Sequence, residues 1–455
     1  MQLSRTSRTM LTVSLAVAIG IGCWFWFRSP SLESRLEQRR RSGLPVTSTE
    51  LNGYYRTPSG VPDTTEIWLR EIRTLREKPF WSRIPGFRNR LTGTIDTPKP
   101  EEQWPHLDAC RGLVADLGQE LDAIGQAAQA RGRIRVPVDF SNGISFPVPI
   151  LDELYQTGDF VLLDAVAAAH DNDGDRLFRD LQALLALSDI QREVPFSFFL
   201  YLGRIRAHRR ACEAICRLVP RVTLSESSLE YLQSAVAAAD FREEWQHALN
   251  GDCAIILSKV DAIFIGRLFS RPSKLTVLDF FDQTRDALSD PFPTALETQA
   301  AVEARYRTRG RSDVLWRPGQ MRALGLLSDH LGLVPLVARE EARMNASVVA
   351  LAALRYRHRN GHFPADMAEL DDFLPDDAVA TEQRTDQWSD PFNGEPLRYR
   401  ADPHRVLIYS VSDNTIDDGG DFGQPDQPGI EPDIGVQLPT GLDGPASERA
   451  ESMSE

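Results

Sequence analysis

The sequence predicts a mainly α protein: a membrane anchor, then an irregular array of helical hairpins, then a small C-terminal α+β module. Three observations lead there. A run of 18 residues near the N-terminus carries no charge. Most of the chain repeats its apolar residues at helical spacing, and alternating β-type segments bounded by turn residues come only near the C-terminal end.

The chain has 455 residues, 42% of them hydrophobic and 25% charged, which is an ordinary globular composition with enough length for a substantial core. Its net charge of −14 argues against nucleic acid as a partner, because a nucleic-acid binder shows a basic stripe.

After a short tail (1–9) comes the uncharged run 10–27, MLTVSLAVAIGIGCWFWF, with Arg5 and Arg8 before it and Arg28 after it. As a helix it would be roughly 27 Å long, close to the thickness of a bilayer's hydrocarbon core. Trp24 and Trp26 stand at one end, where indole rings favour the interface. A cleaved signal peptide wants small residues after the apolar run, and here Trp, Phe and Arg follow. A lipoprotein signal would use Cys23, with Gly20 where a bulky aliphatic residue is usual. The run therefore reads as an uncleaved single-pass anchor in the inner (cell) membrane. Arg28, Arg35, Arg39, Arg40 and Arg41 follow it, which on a positive-inside count places the body in the cytoplasm. Long downstream domains, however, cross regardless of such charges.

Residues 28–63 are rich in Arg, Ser, Thr, Pro and Gly and read as a linker. Residues 64–332 read as the helical domain. TTEIWLREIRTLRE sets Ile67, Leu69, Ile72 and Leu75 near one face, with Thr64 or Thr65 as cap. Leu107, Cys110, Leu113, Leu117, Leu121 and Ile124 continue the buried stripe. RIRVPVDFSNGISFPVPI breaks it as an extended excursion. FVLLDAVAAAHDNDGDRLFRDLQALLALSDI reads as helix, turn, helix, with Asp175 as N-cap, and SESSLEYLQ opens with Ser225 or Ser227 as cap. The pairing has a tetratricopeptide style without a strict repeat. DGDRLFRDLQALLAL, SLEYLQSAVAAAD and ALNGDCAII resemble a group of uncharacterised membrane-anchored bacterial proteins, a likeness that implies architecture and no activity.

Chemistry in this domain is weakly signalled. His208, Cys212 and Cys216 share a helix side, which suits zinc but more readily suits core packing. HDNDGD begins like a calcium loop, yet its twelfth position is Gln182 where Glu is required. Arg204, Arg206, Arg209 and Arg210 are the densest basic patch, either a docking face for a protein partner or a solvated helix side. Cys110, Cys212, Cys216 and Cys253 fit two disulfides or buried free thiols.

The C-terminal module covers 333–423. A long helix with Pro335 in its first turn ends at Gly361, and a short second helix follows. A hairpin of PLRYR and RVLIYSV comes next, and then an acidic loop. The tail 424–455 is acidic and rich in Pro and Gly, and is expected to be disordered.

ALRYRHRNGHFP, FLP, DPFNGEPLRYR and LIYSVSDN, in that order, resemble the globular part of type II secretion major pseudopilins. The resemblance implies an extracytoplasmic body and a calcium site in the loop after the last matched strand. There the candidate ligands are Asp413, Asn414, Asp417, Asp418 and Asp421, with Gly419 and Gly420 letting the backbone turn. A solvent-facing acidic loop is the alternative. The chain departs from the family in having about 300 residues between anchor and module and in lacking a prepilin processing signal, so a pilus subunit is not expected. The expected role is a non-enzymatic interaction or assembly protein. The alternative is an extracytoplasmic enzyme with its site in the helical body.

Overall fold

The computed structural model describes residues 32–55, 60, 62–76, 104–130, 134, 138, 140, 150–192, 197–262, 264–312, 327, 332–375, 388–423 and 432–440. The predicted anchor 10–27 and most of the predicted excursion 133–150 lie outside them. Among the described residues no helix is long and apolar enough to cross a membrane.

The helices are α1 (Leu32–Arg41), a single turn α2 (Leu51–Tyr54), α3 (Thr65–Arg76), α4 (Leu107–Asp116) and α5 (Gly118–Gln129). They continue with α6 (Ile150–His170), α7 (Gly174–Arg192), α8 (Phe198–Leu218), α9 (Glu226–Ala237), α10 (Phe241–Ala262), α11 (Phe264–Ala287), α12 (Phe292–Ser312) and α13 (Leu333–Asn360). Neighbours in sequence pack as hairpins, α6 on α7, α7 on α8 and α10 on α11, while α3 and α5 close over α6 and α7. Short connections make such antiparallel neighbours the natural outcome.

The connection between α6 and α7 shows how local residues set the array. Asn172 takes a left-handed conformation (φ 54°), which Asn tolerates better than most residues. Asp173, not Asp175, caps α7: its Oδ1 accepts the backbone N–H of Arg176 at 3.1 Å. The predicted cap fails because Asp175 already lies inside the first turn. A Cβ on Gly174 would stand 2.5 Å from the Thr223 carbonyl oxygen, so only glycine lets the helix start against that loop. Ser225 caps α9 as expected, its Oγ accepting the N–H of Ser228.

The predicted linker 28–63 is corrected. Its part Leu32–Arg41 is the helix α1, docked on α11 by ion pairs. Arg35 meets Asp279 at 2.6 Å and Asp282 at 2.7 Å, and Arg39 meets Asp282 at 2.6 Å. Tyr54 stacks on His247 of α10 and bonds its ring nitrogen at 2.8 Å. A polar composition suggested a tether, but Arg35 and Arg39 find carboxylates on the body.

Helix α13 is the axis of the C-terminal half. Every residue from Met344 to Arg355 is buried. A helix apolar on one side only cannot be covered all round, and the small residues Ala346, Ala350, Ala352 and Ala353 let neighbours approach on every side. Helices α8, α9, α10 and α12 cover part of it, and the sheet covers another. The separation of a module at 333 is thus a division of sequence, while the packing of α13 is shared between both parts.

The described sheet is three-stranded and antiparallel, in the order β1 (Arg398–Ala401), β2 (Arg405–Ser410), β3 (Ile434–Pro439). The predicted hairpin is β1 and β2, with Tyr399 opposite Ile408. Strand β3 corrects the expectation of a wholly disordered tail: Ile408 faces Val436 and Val406 faces Leu438. Ile434 and Leu438 are buried against the body, which gives the strand a reason to order despite the flanking prolines.

Candidate functional site

The acidic loop leaves β2 at Ser410 and is held at its root by Asp390, which is buried in the DPFNG turn. Asp390 Oδ1 accepts the Phe392 N–H at 2.9 Å and the Ser410 hydroxyl at 2.8 Å, and its Oδ2 accepts the Val411 N–H at 2.7 Å. Ser412, Thr415, Gly419 and Gly420 all have positive φ, so the loop coils tightly. At Gly420 a side chain would also press on Leu407, since a Cβ there would be 2.9 Å from its Cδ1.

The five predicted ligands do not converge as one set. Arg339 of α13 donates to both carboxylate oxygens of Asp413 at 2.9 Å. Burial raises the Asp413 carboxyl, but the hydrogen bond and charge of Arg339 outweigh it and hold it below the usual range. Asp417 accepts the Tyr409 hydroxyl at 2.9 Å, the Gly419 N–H at 2.9 Å and Arg400 at 3.0 Å. Asn414 donates to Asp418 at 2.8 Å, and Asp421 accepts the Gly423 N–H at 2.9 Å. Among the described residues no group of three or more His, Cys, Asp and Glu is disposed to hold a metal ion.

What the sequence reading missed is Asp433. It directly precedes β3, is 0% exposed, and its backbone N–H donates to the Asp421 carbonyl at 2.9 Å. Its Oδ2 accepts the Gly420 N–H at 2.7 Å, while Oδ1 is buried with no hydrogen-bond partner among the described residues. Burial raises its carboxyl pKa, the backbone N–H groups of Gly420 and Asp418 pull against it, and the charges of Asp418 and Asp417 add to the rise. One signal for it was present: DIGVQL alternates like a strand within the Pro/Gly-rich tail.

The other candidates are built into the interior. His208 and Cys212 are buried on one side of α8, with sulfur and Nδ1 3.5 Å apart, and the His208 ring meets the Phe241 ring edge-on at 5.0 Å. Cys110, Cys212, Cys216 and Cys253 are free thiols. Burial pushes Cys216 up to about 12 and Cys253 to about 11, so neither is disposed to be a thiolate at neutral pH. The basic patch finds its partners on neighbouring helices. Arg204 is fully buried beside Glu244, Arg209 pairs with Glu340, Arg210 pairs with Asp159, and Arg206 lies over the Tyr155 ring. Of the four, Arg204 is buried, Arg209 and Arg210 are half-buried and Arg206 is exposed. Asp171 of HDNDGD is bound by Arg111 at 3.0 Å.

Compared with family models, curated proteins and solved structures, the chain has no match.

Proposed function

We propose that this chain is a membrane-anchored, extracytoplasmic interaction or assembly protein without catalytic activity, whose C-terminal loop takes a calcium ion. The observation that carries the calcium part is the orphaned Asp433 Oδ1, fully buried against a loop that holds four further aspartates. A buried, ionised oxygen without a donor is costly, and a cation is one remedy. Calcium prefers several oxygen donors, and the available groups are all oxygen: Asp433, Asp417, Asp418, Asp421 and the carbonyls of the coiled loop. To serve, Asp417 and Asp418 would exchange their present partners, Arg400 and Asn414. Asp413, occupied by Arg339, would act as a strut between loop and α13.

The non-catalytic part draws support from where the reactive residue types went. His208, Cys212 and the arginines of α8 hold helices together.

The test is a calcium titration of the full chain, following its thermal midpoint against a chelator control. At 100 times the dissociation constant the ion adds about 2.7 kcal/mol of stability. The expected result is a rise of several degrees that is absent in Asp433→Asn. An unchanged midpoint in the wild-type chain overturns the calcium reading.

A further inference from the structure

Strand β3 is the last described element of the chain, and among the described residues it is paired on one side only, by β2. It lies against α13 and α8, with Ile434 and Leu438 buried. At its far end the Thr440 N–H donates to the His404 carbonyl at 3.2 Å. At its near end it is tied to the acidic loop through Asp433. The Asp433 N–H donates to the Asp421 carbonyl at 2.9 Å, and its Oδ2 accepts the Gly420 N–H at 2.7 Å. The other oxygen, Oδ1, is buried with no hydrogen-bond partner among the described residues.

Loop and strand are held unequally at this junction. The loop has anchors of its own: Arg339 grips Asp413, Tyr409 and Arg400 grip Asp417, and Asp390 fastens the root at Ser410 and Val411. Asp433 is held by backbone N–H donors, while the negative charges of Asp418 and Asp417 act on it. A buried carboxylate beside like charges is relieved by reaching water, and of the two elements the edge strand is the freer to move. Asp433 directly precedes Ile434, so its relief falls on the first rung of the ladder, where Ile434 stands opposite Ser410.

We infer that calcium at this site is the fastener of strand β3: with the ion bound the strand closes the sheet, and without it the strand leaves β2, baring that edge of the sheet and the side of α13 it lies against. The inference rests on the calcium reading above and adds to it the element that the ion controls. Bound, the ion supplies the positive charge that Asp433 Oδ1 lacks and offsets the neighbouring aspartates. The two ends of the strand then differ in kind. Thr440 holds the far end to the turn between β1 and β2 whatever the ion does, so opening starts at Ile434 and proceeds toward Thr440.

The experiment uses the full chain in calcium and in chelator, with hydrogen exchange read by mass spectrometry and calcium binding read by calorimetry on the same samples. Peptides covering 432–440 are expected to exchange roughly ten- to a hundredfold faster in chelator, the effect of leaving one buried charged oxygen without a partner. Peptides from α6 and α7 are expected to keep their rates. Asp433→Asn has no charge to relieve and is expected to keep 432–440 protected in both conditions. A chain that binds no calcium overturns the calcium reading and this inference together. A chain that binds calcium while 432–440 exchanges equally in both conditions overturns this inference alone. An equal acceleration in every peptide does the same, since the ion would then be a general stabiliser, and so does an Asp433→Asn chain whose strand still loosens in chelator.

Discussion

Replacing Asp282 by alanine should release α1 from the body. Asp282 accepts from Arg35 at 2.7 Å and from Arg39 at 2.6 Å. The two arginines differ in what they keep. Arg35 retains Asp279 at 2.6 Å and is partly open to water, so its loss is small, about 0.5 kcal/mol. Arg39 is 6% exposed and retains only the neutral Asn250 at 3.2 Å. A hydrogen bond between charged groups contributes about 1.5–3 kcal/mol, and this one is nearly buried, so the upper half of that range applies. The sum is about 3 kcal/mol, roughly a hundredfold in the opening equilibrium. A ten-residue helix does not persist alone in water, so an undocked α1 melts. Hydrogen exchange read by mass spectrometry on peptides covering 32–44 should therefore speed up about a hundredfold in the variant, while peptides from α7 and α8 keep their rates. Unchanged exchange in α1, or an equal acceleration everywhere, would refute the clasp.

Asp180 and Asp164 are both buried between α6 and α7, with Arg176 and Arg179 beside them, and Asp180 Oδ2 has no hydrogen-bond partner among the described residues. Burial first, and the neighbouring Asp164 second, raise the Asp180 carboxyl well above its usual range, so the folded state holds a proton that the unfolded chain releases. Stability from this pair is full at acid pH and falls as pH rises from about 4; Asp180→Asn should flatten that fall and raise the thermal midpoint at pH 7.5 relative to wild type. Gly435→Ala should detach β3, because a Cβ there would collide with the Ile408 carbonyl and stand 2.6 Å from the Tyr409 Cβ; limited proteolysis should then cut within 432–440, and a resistant variant would contradict the register. Native thiol titration at pH 8 should leave Cys110, Cys212 and Cys253 unlabelled until the chain is denatured, since all three are buried with raised pKa values.

The helical array was legible because its signals are local. Ser225 caps α9, Gly361 closes α13 in a left-handed conformation (φ 80°), and the stripe from Cys110 to Ile124 is buried as its spacing requires. Errors arose where a partner distant in sequence decides. Nothing within residues 28–63 announces Asp279 and Asp282 more than two hundred positions away, so α1 looked like a charged tether. Arg204 and Arg209 looked like surface for the same reason, since Glu244 and Glu340 come from other helices. The candidate site was half legible. The loop and its aspartates are contiguous, whereas Asp433 arrives from beyond a Pro/Gly-rich stretch and Asp390 from the turn before β1.

Helix α13 bears on what the loop could transmit. A free-standing module would turn one face of its helix to water, yet Met344 to Arg355 is buried throughout. Gln233 of α9 donates to the carbonyls of Val348 at 3.2 Å and Phe373 at 2.9 Å, and accepts from Arg355 at 2.6 Å. Two lines of force therefore meet in this helix: its Arg339 grips the acidic loop through Asp413, and its Arg355 grips the hairpin array through Gln233 and Glu226. A cation that reordered the loop would act on the same rigid rod that the array is packed around. Gln233→Ala should for this reason reduce any stabilisation that calcium gives to the array, read as a smaller calcium-induced gain in exchange protection of α9, while leaving the loop's own gain intact. An undiminished gain in α9 would mean that the loop and the array respond independently.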